Sequence, residues 1–211
     1  MNWFLMFLKS CPKSGQTQEH RLKLYRLYPL LIIAPSWGRI AQHTKGVFDM
    51  RVIIINGPMG VGKTVTGKRI ADKNPGTAFI DGDWCMDIHP FVGNRETKVM
   101  AIDNILHMID NYQKCSECKM VVFVWLMDNQ WVLRSILDGL SALKTEVKSI
   151  TLFCDRETLT KRWKNDHSCE WRTDRWLEVS LASLQYFASM KDAIDTSDLN
   201  VDQIAELIMN E

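Results

Sequence analysis

The stretch Gly57-Pro58-Met59-Gly60-Val61-Gly62-Lys63-Thr64 decides the fold. It fits the pattern G-x-x-x-x-G-K-[ST] at every position, and it sits where the pattern has physical meaning. Before it runs Arg51–Asn56, a β-branched apolar run that reads as a buried strand. After it, Thr64–Lys73 reads as a helix closed by Asn74-Pro75-Gly76. Glycines let such a loop wrap so that backbone N–H groups point inward at phosphate oxygens, and the helix N-terminus adds its partial positive charge. The cradle spans Gly57, Pro58, Met59, Gly60, Val61, Gly62, Lys63, Thr64 and Val65. In it Lys63 can reach β- and γ-phosphates, and the Thr64 hydroxyl can ligate Mg²⁺. The expected ligands are therefore ATP and Mg²⁺.

Outward from the loop, short apolar runs alternate with amphipathic stretches. Further strands are expected at Thr77–Ile80, Val121–Leu126, Ser149–Cys154 and Ala193–Asp195. Helices are expected at Glu96–Tyr112, Trp131–Leu143, Glu157–Asn165, Arg175–Ala188 and Val201–Met209. Val99, Ile102, Leu106 and Ile109 lie at helical spacing and predict one core face for the first of these. The unbroken run Val121–Leu126 predicts a central strand. Strand alternating with helix over this length means an α/β protein, a parallel sheet covered on both faces.

Charge divides the chain. Residues 1–49 carry seven Lys/Arg and two Asp/Glu, a net of +5, whereas residues 50–211 carry 19 and 23, a net of −4. Residues 1–49 read either as a membrane-surface or partner-binding arm, from the basic and aromatic alternation in RLKLYRLYPLLII, or as a segment outside the fold. The second reading is preferred, with Met50 as the natural first residue and 50–211 as the domain. No apolar run is long enough to span a bilayer as a helix. The near-neutral total argues against a dedicated nucleic-acid binder. Six Cys without a regular framework suggest a reduced, cytoplasmic setting. Cys115-Ser116-Glu117-Cys118 is read as incidental, because no second pair completes a zinc site. The six tryptophans from Trp84 onward are expected in the core and crevice walls.

A second cluster is Asp81-Gly82-Asp83. Two carboxylates at a strand's C-terminal end point into the crevice where α/β proteins bind ligands. Asp128, after Val121–Leu126, has two open readings: a Mg²⁺ carboxylate, or a helix cap shared with Asn129. His89 reads equally as a loop-stabilising residue or a substrate contact.

With these motifs the chain resembles the small P-loop kinases of the adenylate, shikimate and gluconate kinase type. It is similar to a group of uncharacterised bacterial nucleotide-kinase-like AAA-type ATP-binding proteins carrying DGDWC…HPF. The resemblance covers residues 50–211. It implies a P-loop NTPase three-layer sandwich, a five-stranded parallel sheet in order 2-3-1-4-5, and a mobile lid. It implies Asp81 near Mg²⁺ and Asp83 orienting or deprotonating the acceptor hydroxyl. Leu159-Thr160-Lys161-Arg162 resembles the start of the lid, where Arg162 lies near the nucleotide; Arg172 and Arg175 follow. Arg162 and Arg172 would complete a charge clamp on the transferred phosphoryl group. Ser183 stands where such kinases often carry a further Arg. Ile194-Asp195-Thr196-Ser197 resembles the loop that holds the adenine base, although here Asp195 or Ser197 is expected to cap the following helix.

The implied activity is transfer of the ATP γ-phosphoryl group to a small hydroxyl- or phosphate-bearing acceptor, by a monomer or homodimer. Alternatives are an ATP-binding switch and a polynucleotide kinase-like activity; the −4 charge of residues 50–211 disfavours the latter.

Overall fold

The computed structural model describes residues 50–166 and 173–210. The expectations about residues 1–49, and those about Arg172, lie outside the described residues. In chain order the elements are β1 (Arg51–Asn56), α1 (Lys63–Lys73), β2 (Thr77–Asp81), a 3₁₀ turn (Gly82–Met86), α2 (Arg95–Gln113), β3 (Met120–Val124), α3 (Gln130–Ala142), β4 (Glu146–Phe153), α4 (Arg156–Asn165), α5 (Asp174–Ala188), β5 (Ala193–Asp195) and α6 (Val201–Asn210).

The five strands form one parallel sheet in the order β2-β3-β1-β4-β5, as expected. Side chains of a strand alternate between faces, so a central strand must be apolar at consecutive positions. In β1, Ile53 and Ile55 enter a core with Ile70 of α1, Leu159 and Trp163 of α4, Leu177 and Leu181 of α5, and Ile204 and Ile208 of α6. Val52 and Ile54 enter the opposite core, with Ile102, Ile105 and Ile109 of α2 and Val132, Ile136 and Leu140 of α3. Met50 joins this second core and is buried. Both faces are thus covered, giving the three layers.

Two local expectations are corrected. On α2 the buried stripe is Ala101, Ile102, Ile105 and Ile109, while Val99 is 52% exposed. The stripe is set by how the helix is rotated about its own axis against the sheet, which periodicity alone leaves free by about one residue. The cap of α6 is Asn200: its Oδ1 accepts from Gln203 N at 3.0 Å, and Gln203 Oε1 accepts from Asn200 N at 2.9 Å. Asp195 instead closes its own turn, accepting from Ser197 N and Ser197 Oγ.

Strand order reverses at β1, whose neighbours are β3 and β4. The connection leaving β1 therefore lies at the switch point of the sheet, where a crevice opens beyond the strand ends.

Candidate active site

The loop between β1 and α1 occupies that switch point. Gly57 has φ 144°, and a Cβ there would stand 2.4 Å from the Leu152 carbonyl oxygen, so only glycine fits between β1 and β4. Gly62, at φ 111°, is the N-cap of α1, and the first turn of this helix carries no acidic residue. The N-terminal end of this helix thus carries its partial positive charge with no acidic side chain in the first turn to oppose it. Lys63 Nζ donates to the carbonyls of Gly57 and Pro58, both at 2.8 Å, which folds the ammonium over the mouth of the loop.

Three side chains from α4 and α5 brace this loop from outside. Trp163 of α4 packs on Gly60, where an added Cβ would be 2.9 Å from its ring. Ser180 Oγ of α5 donates to Met59 O at 2.7 Å. Arg162 Nη1 donates to Val61 O at 3.0 Å.

The remaining Arg162 bonds go to the β5–α6 connection. Nη1 donates to Thr196 Oγ1 at 3.0 Å and Nη2 to the carbonyls of Thr196 and Leu199 at 2.6 and 3.4 Å. The side chain expected in a phosphate clamp thus ties the loop to Thr196 and Leu199. Behind it, burial pushes the Cys154 thiol up to about 11.

The two carboxylates stand where β2 ends. Thr64 Oγ1 donates to Asp81 Oδ2 at 3.1 Å, joining the two groups expected at Mg²⁺. Asp81 is only 8% exposed. Burial, and then the charge of Asp83, hold its carboxyl above the usual range, while the Asp83 N–H, Thr64 and Lys63 pull it back. Asp83 N donates to Asp81 Oδ1 at 3.2 Å. The Asp83 carboxylate, which is exposed, is held by Trp125 Nε1 at 3.0 Å. Gly82 between them is needed for packing: a Cβ there would lie 2.3 Å from the Trp125 ring.

Trp125 and Asn56 are the site residues that motif reading missed. Asn56, fully buried at the end of β1, accepts from Met127 N at 2.8 Å and donates to Met127 O at 3.3 Å. Its amide mimics a strand edge and anchors the segment carrying Asp128. A buried polar residue closing an apolar strand was the available signal.

Of the other candidates, Asp128 is exposed, and Asn129 is the N-cap residue of α3 without a side-chain cap bond. His89 is 86% exposed and pairs with Asp87 at 3.3 Å. Val65 is 53% exposed on the outer face of α1. Cys115 and Cys118 are unbridged, and no three-ligand metal cluster exists among the described residues. Trp125 and Trp163 are buried as expected, but Trp84 is 65% exposed.

Thr64 and Asp81 fit Mg²⁺, a hard cation that takes oxygen ligands and usually keeps waters and substrate phosphates in its shell. Two protein oxygens side by side at a phosphate cradle are the donor set it uses.

This phosphate cradle at the switch point of a 2-3-1-4-5 sheet defines a P-loop domain. The AAA domain family matches residues 53–181, more than half of the chain, and the protein belongs to that family. Its fold is that of small P-loop kinases. The tunicamycin resistance protein of Deinococcus radiodurans is similar over 76% of this chain and 94% of its own, at 23% identity and TM-score 0.59. A gluconokinase from Sinorhizobium meliloti 1021 aligns over 77% and 91%, at 13% identity and TM-score 0.56. A shikimate kinase from Bacteroides thetaiotaomicron aligns over 76% and 96%, at 17% identity and TM-score 0.52. No curated protein sequence matches the chain. Among the described residues no helix is long and apolar enough to cross a membrane.

Proposed function

We propose that this protein is a Mg²⁺-dependent phosphotransferase that moves the γ-phosphoryl group of ATP to a small acceptor. The observation that carries the reading is the convergence of the phosphate loop, the Thr64–Asp81 pair at 3.1 Å and the Trp125-held Asp83 at one crevice. Loop amides and Lys63 hold the β- and γ-phosphates, whose negative charge must be neutralised as it spreads in transfer. Thr64 and Asp81 would hold Mg²⁺, which supplies charge neutralisation and alignment of the phosphates when bound.

Asp83 orients the acceptor hydroxyl and takes its proton. The acceptor oxygen bonds to the γ-phosphorus, and the bond from that phosphorus to the β–γ bridging oxygen breaks, leaving ADP. Arg162 acts as a positioning residue through the tie from Val61 to Thr196. The expectation of a charge clamp rests with Arg172. Four free thiols among the described residues favour a reducing compartment, in keeping with a cytoplasmic enzyme.

The test is ADP release by the full chain with Mg-ATP against nucleosides, sugar acids, polyols and aminoglycosides, with Lys63→Met as blank. Lys63-dependent stimulation by one compound class is expected. ATP binding without stimulation by any class would overturn the transferase reading in favour of an ATP-dependent switch.

A further inference from the structure

The residues that follow Asp83 differ in chemistry from everything on the phosphate side. From Gly82 to Asn94 the sequence is GDWCMDIHPFVGN, with Asp83 and Asp87 and not one Lys or Arg. Four of its apolar side chains face solvent: Trp84 is 65% exposed, Phe91 71%, Val92 40% and Ile88 38%. Large apolar side chains grouped in the open on one loop mark a binding surface more often than chance exposure does.

The loop is also held in place. Asn104 Nδ2 on α2 donates to Cys85 O at 2.9 Å, anchoring the 3₁₀ turn. Thr97 Oγ1 donates to Val92 O at 2.7 Å, and Asn94 with Thr97 forms the capping box of α2. Exposure of Phe91 and Val92 therefore belongs to a segment fixed at both ends.

The cations flanking the loop lie on aromatic rings. Lys68 Nζ stands 5.6 Å from the Trp84 ring and 5.9 Å from Phe79. Arg95 stands 5.3 Å from the Trp131 ring, at the head of α3. The segment after β3 adds Asp128, another exposed carboxylate. An anionic acceptor placed at Asp83 would meet carboxylates, and the loop's one basic side chain, His89, already pairs with Asp87 at 3.3 Å.

We infer that the acceptor is a hydroxyl-bearing small molecule with an apolar, ring-bearing body and no negative charge, its ring against the loop of Trp84 and Phe91. This rests on the reading of Asp83 as the acceptor carboxylate. It separates the protein from kinases whose acceptor is a sugar acid or a nucleotide. The group transferred and the bonds made and broken are those given above; only the acceptor class is added.

A matched set of probes tests it. 1-Phenylethane-1,2-diol is neutral, 2-amino-1-phenylethanol cationic and mandelate anionic, all with one ring and a benzylic hydroxyl; glycerol lacks the ring. Binding to the full chain, loaded with Mg²⁺ and a non-hydrolysable ATP analogue, is read by ligand-observed NMR. The neutral and cationic ring compounds should bind about tenfold or more tightly than glycerol, the preference expected from burying one aromatic ring, and more tightly than mandelate, whose carboxylate would meet Asp83 and Asp128. Phe91→Ser and Trp84→Ala should each remove most of the preference over glycerol, with the analogue still bound.

Equal or tighter binding of mandelate overturns the inference, as does equal binding of glycerol, failure of both ring compounds to bind, or indifference to both substitutions. Lys63-dependent ADP release stimulated by gluconate would overturn it too, while leaving the phosphotransferase reading standing. Loss of analogue binding by the wild-type chain would strike that reading itself.

Discussion

The two walls of the crevice are built by different means. The nucleotide wall is a mesh of backbone groups: Arg162, Ser180 and Lys63 all bond main-chain carbonyls of the loop, and Trp163 presses on Gly60. The wall proposed for the acceptor is a display of side chains, from the carboxylate of Asp83 to the exposed rings of Trp84 and Phe91. Phosphates are the same in every nucleotide, so a wall that grips them can be made of amides fixed by the fold. Acceptors differ, so the wall that selects them must be made of side chains that can change without disturbing the sheet.

The comparison is easiest to break at Asp83. Asp83→Asn should lower turnover by about 10²–10⁴-fold, the range for a positioned general base, while the affinity for ATP stays within a factor of about two. Calorimetric ATP titration beside ADP-release kinetics checks it; normal turnover would show that the acceptor wall has no base at this position.

Gly82→Ala attacks the point where the walls meet. Its Cβ must displace the Trp125 ring, 2.3 Å away, and with it the bond to Asp83. An overpacking cost of about 1–3 kcal/mol is expected in urea unfolding, together with loss of transfer. A variant as stable and active as wild type would mean that Trp125 has room to move.

Arg162→Lys sharpens the nucleotide side. A lysine cannot reproduce a fork that reaches Val61, Thr196 and Leu199 together. ATP affinity should weaken by about tenfold. The maximal rate with ATP saturating should change much less, since the tie positions the loop and touches no acceptor. A fall in rate at saturating ATP with unchanged affinity would instead give Arg162 a place in the charge clamp.

The smallest expected effect concerns Asp81 without ligands. Burial holds its folded-state pKa above the unfolded value. The folded protein therefore binds that proton more tightly, and stability falls as pH rises from the ordinary carboxylate pKa through the raised one. At neutral pH, Asp81→Asn should leave the melting temperature of the ligand-free chain unchanged or raised. The same variant should lose the Mg²⁺-dependent part of its stabilisation by ATP. Thermal scans with and without Mg-ATP read both; a clear fall in the ligand-free scan would show that the Thr64 bond outweighs burial.

Much of this architecture is local in origin. β1 and β3 are legible because a strand buried on both faces must be apolar at consecutive positions, as residues 52–55 and Met120–Val124 are. The phosphate loop is legible because its glycines answer to backbone conformation, φ 144° at Gly57 and 111° at Gly62, which few other residues adopt. The stripe on α2 slipped by a residue or so because helical periodicity does not set which way the helix rolls against the sheet. The α6 cap moved to Asn200 because several Asx and Ser residues compete there, and only the chain's path selects one.

The sequence by itself determined the nucleotide end: a strand, a glycine loop, a lysine and a hydroxyl, all within fourteen consecutive residues from Arg51 to Thr64. Backbone conformation and residue spacing act over such short distances. Tertiary structure alone decided that Trp125 grips Asp83, that Asn56 holds Met127, and that Arg162 joins the loop to Thr196. Each of those bonds joins residues from 34 to 101 positions apart. No local spacing encodes such a meeting; the order of strands in the sheet brings the partners together.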